Sequence, residues 1–279
     1  MTILRRVGRN LNGRDYVVGD VHGHLSQLRR QLGDIRFDPY VDRLFFLGDV
    51  VDRGPDSEGV LAMIDQRTYF SILGNHEAMM IAGFEERGEA LLHQMNGGDW
   101  FYELPEDRQR RIVDQVRTWP WAMEIDVGQK CAGLVHGNVP DSSWHAVVEY
   151  LQGAEAGWKA GASLAEPLLD RAAKPLLWDR TLVTRLYRDF LEREARQLEI
   201  AEQLQSRPQG QEWVVRGAPE QLRPFQVSGI DAVYMGHTYV PTATQVGRCH
   251  FLDTYREEPG EVLSIICINA QAQASAKRR

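Results

Sequence analysis

Tyr16-Val17-Val18-Gly19-Asp20-Val21-His22-Gly23 is a short β-favouring run that stops at a glycine turn carrying an acid and an imidazole. Two further stretches repeat the pattern. LFFLGDVVDRG (44–54) carries Asp49, Asp52 and Arg53, and SILGNHE (71–77) carries Asn75 and His76. Helix-like stretches from Leu25 to Leu32 and near Gly59 to Asp65 lie between them. Asp20, Asp49 and Asn75 are 29 and 26 residues apart, close to the roughly 30 residues of a strand–helix–strand unit. Right-handed crossovers then predict all three turns along one carboxyl edge of a sheet.

The same signature returns twice, in GLVHG (133–137) with His136 and VYMGH (233–237) with His237. One such turn alone would be an ordinary Gly-Asp turn or a locally satisfied histidine. Five at successive strand ends describe hard O and N donors aimed at one place, the construction of a two-metal hydrolytic centre. Residues two apart in extended backbone point the same way, so Asp20 and His22 can grip one ion together. Asp49 at the next strand end can bridge two ions held about 3.5–4 Å apart. Asn75 offers a carbonyl oxygen, His136 and His237 offer imidazole nitrogens, and a donor set without thiolate suits Mn, Fe or Zn.

Further strands are expected near Ala122–Val127, Gly133–Val135, Ala232–Met235, His250–Leu252 and Val262–Ile268. From Glu77 to about Trp119 the pattern is mostly helical, with Met79, Met80, Phe84, Leu91 and Leu92 as core contacts and a turn at Gly97-Gly98. Apolar residues recur at helical spacing from Leu182 to Leu204, as core packing or as a lid or partner-binding element. The chain has 279 residues, 43% hydrophobic and 25% charged, with a formal net charge of -7. That balance is globular and argues against broad nucleic-acid binding. Three scattered cysteines, no apolar leader in MTILRRVGRN and no membrane-length apolar run make the cytoplasm the expectation.

GDVHG, GDVVDRG and GNHE, followed by single histidines in HG and GH, resemble the signature of the calcineurin-like metallophosphoesterases. DRG and GNHE point to the phosphoprotein phosphatase branch, and NHEAMMIAGFEERGEALLHQMNGGDWFYEL with LLWDR resembles the bacteriophage-lambda-type and bacterial Ser/Thr phosphatases. The resemblance runs over about residues 14–180 and 230–270. It implies a single α/β domain, a β-sandwich flanked by helices, over residues 1–270. The connection over 181–229 departs from the family by its greater length and reads as a helical insertion, and the small, polar composition of the end makes 271–279 a loose tail. The resemblance implies that Asp20, His22 and Asp49 hold one metal and that Asp49, Asn75, His136 and His237 hold the other, with Mn the usual ion. It further implies in-line attack by a bridging water or hydroxide, with no phosphoenzyme and with phosphoprotein as substrate.

Chemistry adds roles for the neighbours. A Ser or Thr alkoxide leaves poorly and needs a proton; His76 is the natural donor, with Asp52 on its other ring nitrogen. Arg53 offers a planar fork for two phosphate oxygens, and Arg180 of LLWDR matches a second phosphate-contacting arginine of the lambda-type enzymes. Leu73 stands where those enzymes carry arginine, so one phosphate clamp is missing. His24, His93, His145 and His250 have no motif support and are expected to be surface or packing residues. The nearest rival function is a symmetrical diadenosine tetraphosphate hydrolase, a family that tends to carry GNHD where this chain has Glu77. A non-catalytic module of the same fold would have a broken ligand set, and this one is whole.

Overall fold

The computed structural model describes residues 2–191, 210–258 and 261–269. Along the chain these form β1 (Leu4–Val7), β2 (Asp15–Val18), α1 (Leu25–Asp34), β3 (Arg43–Phe46), α2 (Ser57–Met63), β4 (Tyr69–Ser71) and α3 (Asn75–Glu85). A helical stretch follows: α4 (Ala90–His93), a π-turn over Gln94–Gly98, α5 (Asp99–Tyr102) and α6 (Glu106–Val116). Then come β5 (Ala122–Asp126), β6 (Cys131–Val135), α7 (Trp144–Lys159), α8 (Pro167–Ala173), α9 (Thr181–Leu186), β7 (Trp213–Val214), β8 (Ala232–Met235), β9 (Thr244–Val246), β10 (Cys249–Phe251) and β11 (Ile265–Cys267).

The strands make two sheets, of order β11-β2-β3-β4 and β1-β5-β6-β8-β10-β9-β7. Alternate residues of the central strands take opposite faces. Val17, Phe45 and Phe70 pack with Met123, Ile125, Leu134 and Tyr234 between the sheets, while Tyr16, Val18, Leu44 and Phe46 belong to the core on the other face. Burial on both faces explains why these strands read as unbroken apolar runs rather than alternating ones. Phe45 and Phe70, paired across β3 and β4, stack at 4.7 Å.

Parallel pairing fixes the edge that matters. Val18 pairs with Phe46 and Phe46 with Ser71, so the turns carrying Asp20, Asp49 and Asn75 leave one carboxyl edge, as the spacing predicts. In the other sheet β6 and β8 run parallel with Leu134 opposite Tyr234, which brings His136 and His237 to the facing edge. Buried Asp15 locks the opposite end of β2 through two 2.7 Å bonds from Arg43.

Several expectations need correction. Leu91 and Leu92 are 65% and 50% exposed, because the short α4 turns its His93 face inward instead. The last expected strand is confined to Ile265–Cys267, and β1, β7, β9, α7 and α8 were not anticipated. The amphipathic stretch opens as α9 followed by a π-turn over Tyr187–Leu191; its continuation to Leu204 and the tail lie outside the described residues.

Candidate metal centre and active site

Two turns interlock at the heart of the site. Gly48 has φ +87°, and a Cβ there would come within 2.6 Å of the Gly74 Cα, so the turn after β3 can seat against the start of α3 only with glycine. Buried Glu77 then stitches them: its Oε2 accepts the Asp49 and Gly74 N–H groups at 2.9 Å and its Oε1 that of Val50 at 2.8 Å. Burial and the nearby Asp49 carboxylate lift Glu77 to about 7. Sequence reading used Glu77 only to separate families and missed this structural role; the capping-box position at the third residue of α3 was the available signal.

The donors converge from both sheets. Asp49 Oδ1 accepts the His76 N–H at 2.9 Å, which leaves Oδ2 facing His136 Nε2 at 3.4 Å, His76 Nε2 at 3.9 Å and His22 Nε2 at 4.0 Å. Asn75 Oδ1 lies 2.8 Å from both His136 Nε2 and His237 Nδ1. Asp20 accepts the His237 N–H at 2.9 Å, tying the two sheet edges together. Donor atoms of His22, Asp49 and His76 lie within 4.8 Å of one another, as do those of Asp49, His136 and His237. Asp49 is common to both trios, and Asp20 belongs to neither.

Three rings spend their N–H on a backbone carbonyl: His22 Nδ1 on Val51 at 2.9 Å, His136 Nδ1 on Leu47 at 2.7 Å and His237 Nε2 on Trp178 at 3.1 Å. Their other nitrogens therefore face carboxylate and amide oxygens, an arrangement that calls for positive charge between them. Burial pulls His22 and His237 down to about 3, keeping both rings neutral. Burial opposes charging of His136, yet Asp49 and Asp20 carry it up to about 10. Asp20 itself is raised well above the usual carboxylate range by burial, Asp253 and Asp49. Such a donor set fits two divalent cations.

Five of the functional candidates, His22, Asp49, Asp52, Arg53 and His237, have left-handed backbone conformations. Such strain persists only where the surrounding structure enforces it, and it gathers at functional sites.

Around the donors stand the remaining candidates. His76 Nδ1 lies 2.7 Å from Asp52 Oδ2, the pairing expected from the sequence. Burial opposes the His76 imidazolium, but Asp49 and Asp52 outweigh it and raise the ring's pKa. The Arg53 fork spans His22 Nε2 at 2.9 Å and His76 Nε2 at 3.0 Å, placing a cation against both rings. Arg180 is exposed at the start of α9, just after Trp178, whose carbonyl accepts from His237. Leu73 is fully buried. His250 pairs with Glu212 at 2.7 Å and His24 with Glu257 at 3.1 Å, as side chains with local roles. His93, however, is buried against Asp52, which corrects its expected place outside the site.

A family profile described as calcineurin-like phosphoesterase matches residues 15–241. The chain is a calcineurin-like phosphoesterase. Members of that family work through a dimetal centre, and the donor groups above are ones that could hold such ions. Serine/threonine-protein phosphatase 2 of Escherichia coli (strain K12) is 35% identical to this phosphoesterase over 164 residues, covering 58% of the chain and 70% of the relative. The symmetrical bis(5'-nucleosyl)-tetraphosphatase of Pseudomonas fluorescens (strain SBW25) is 34% identical over 128 residues, 45% of the chain and 43% of the relative. Among solved structures, a cold-active protein-tyrosine phosphatase from a psychrophilic Shewanella superposes with a TM-score of 0.59 at 16% identity, covering 96% of the phosphoesterase and 78% of the other chain. That likeness concerns the fold.

Proposed function

We propose that this phosphoesterase hydrolyses phosphoserine and phosphothreonine monoesters of proteins or peptides, with phosphotyrosine as a secondary substrate and Mn as the leading metal. The observation that carries the proposal is the His76–Asp52 pair at 2.7 Å, set beside the metal donors. A Ser or Thr oxygen leaves as a poor alkoxide, so a poised proton matters most for this substrate class. The similarity to the Escherichia coli serine/threonine phosphatase supports the same substrate.

In this proposal Asp20, His22 and Asp49 hold one ion, and Asp49, Asn75, His136 and His237 hold the second. When bound, the ions supply an acidified water for attack on phosphorus and positive charge for the phosphoryl oxygens. Arg53 turns its fork from the ring nitrogens onto two phosphoryl oxygens, and Arg180 adds a second cation at the rim. His76 Nε2 gives its proton to the departing oxygen while Asp52 steadies the imidazolium. Three free thiols accord with a reducing cytoplasm as the working compartment. No helix among the described residues is long and apolar enough to cross a membrane.

Hydrolysis of dinucleoside tetraphosphates is a second reading, favoured by the similarity to the Pseudomonas fluorescens enzyme. Its leaving group is a nucleotide phosphate, which departs as a stable anion and has little use for a proton donor. A panel of phosphopeptides, phosphoamino acids and diadenosine tetraphosphate, assayed with Mn and again after chelation, separates the two. Metal-dependent turnover greatest on phosphopeptide is expected. A higher kcat/KM for the dinucleotide would overturn the proposal in favour of the rival.

A further inference from the structure

Asp52 holds more than His76. Its Oδ2 also lies 3.0 Å from His93 Nε2, its Oδ1 lies 3.1 Å from the same atom, and Oδ1 accepts the Trp100 indole N–H at 2.8 Å. A carboxylate can only accept, so His93 carries a proton on Nε2, while its Nδ1 hydrogen-bonds the Tyr102 hydroxyl 3.1 Å away. Burial and the Asp52 charge push that hydroxyl up to about 12, so it keeps its proton. Two glycines make room. A Cβ on Gly98 would stand 2.3 Å from His93 Nε2, and one on Gly83 would stand 2.1 Å from the Tyr102 hydroxyl oxygen. Within ten residues, His93 to Tyr102, the chain thus supplies two donors to Asp52, the hydroxyl that orients one of them and the space for it. A metal centre alone requires none of this.

We propose that His93 is a positioning residue for the proton donor: with Trp100 it fixes the Asp52 carboxylate in the rotamer that aligns His76 Nε2 with the leaving oxygen. The inference rests on His76 acting as the acid. An Asp52 gripped only by His76 could rotate toward other partners; held on both oxygens by His76, buried His93 and half-buried Trp100, it cannot. The arrangement forms a hydrogen-bonded chain from Tyr102 through His93 and Asp52 to His76.

The test uses the full-length Mn-loaded enzyme on a phosphoserine peptide and on p-nitrophenyl phosphate, whose leaving group needs no proton. His93→Leu, which keeps volume but removes the donor, is expected to lower kcat on the peptide by about tenfold or more, and on the aryl ester by less than about threefold. KM and calorimetric Mn binding stay unchanged. His93→Gln, which can place an amide N–H near the same point, restores most of the loss. In an Asp52→Asn background His93→Leu has no further effect, because the group it positions is already gone. Equal losses on both esters, loss of Mn binding, or an additive effect in that background would each overturn the assignment. Should His93→Leu fail to fold, Trp100→Phe and His93→Gln carry the test, the first losing peptide turnover selectively and the second retaining it. His76→Asn measured alongside separates the failures: equal losses there sink the acid role itself, whereas a selective loss there but not in His93→Leu sinks only the role of His93.

Discussion

Asp49 offers one oxygen to the His76 backbone and the other to three imidazoles, so Asp49→Asn removes the charge at the point where both donor trios meet. Metal-dependent hydrolysis is expected to vanish in that variant and in His237→Ala, with Mn uptake by calorimetry as the check. Arg53→Ala should instead raise KM for phosphate esters with metal occupancy retained, since its fork contacts rings rather than any carboxylate. Leu73 invites a different experiment. Leu73→Arg is expected to lower stability by about 3 kcal/mol or more without improving phosphate affinity, because it puts a cation at a fully buried position. A chemical melt against inhibition by inorganic phosphate reads both. Of the ten site residues read from the sequence, nine are joined by hydrogen bonds or close contacts around Asp49 and Asn75, whereas Arg180 lies exposed at the start of α9. His93 and Trp100 were not legible, since their function depends on the carboxylate they meet across the fold, whereas Glu77 carried only its capping-box position as a signal.

At the level of elements, the strand ends are where the sequence spoke most clearly. Apolar runs that stop at a glycine turn mark strand ends clearly, so β2, β3, β4 and β8 fall within a residue or two of expectation even though β4 lies at the edge of its sheet. Two-residue β7 and edge strand β1 carry too little pattern to be found without their partners, and α4 shows how periodicity misleads when a short helix buries a polar face. Gly48→Ala tests the interlocked turns. Left-handed strain plus a collision with Gly74 is expected to cost about 2–4 kcal/mol, read as a lower Tm together with weakened Mn binding. At the start of β3, Asp42 accepts from Arg14 Nη2 at 2.7 Å and from the Asp38 N–H at 3.0 Å. Although burial opposes it, these bonds hold its pKa below the usual carboxylate range. Their contribution is therefore present above about pH 4 and fades as pH falls further, so Asp42→Asn should destabilise at neutral pH and converge on wild type in acid. Urea melts across that range would show it.

For the molecule as a whole, the centre is shared between its sheets: Asp20, His22, Asp49 and Asn75 follow strands of one, His136 and His237 strands of the other. Ions bound there brace the sandwich across its seam. At a Mn concentration about 100 times its Kd, mass action adds about 2.7 kcal/mol of stability. A Tm higher by several degrees is expected, reversed by chelation; a Tm indifferent to Mn would show that the donors do not hold it. The same division has a consequence for synthesis. A growing polypeptide on the ribosome has every acidic donor early, yet cannot close its basin until His237 has emerged and β8 has docked beside β6. The complete donor set therefore comes together only at the end of assembly, and a half-made copy lacks the second sheet's His237.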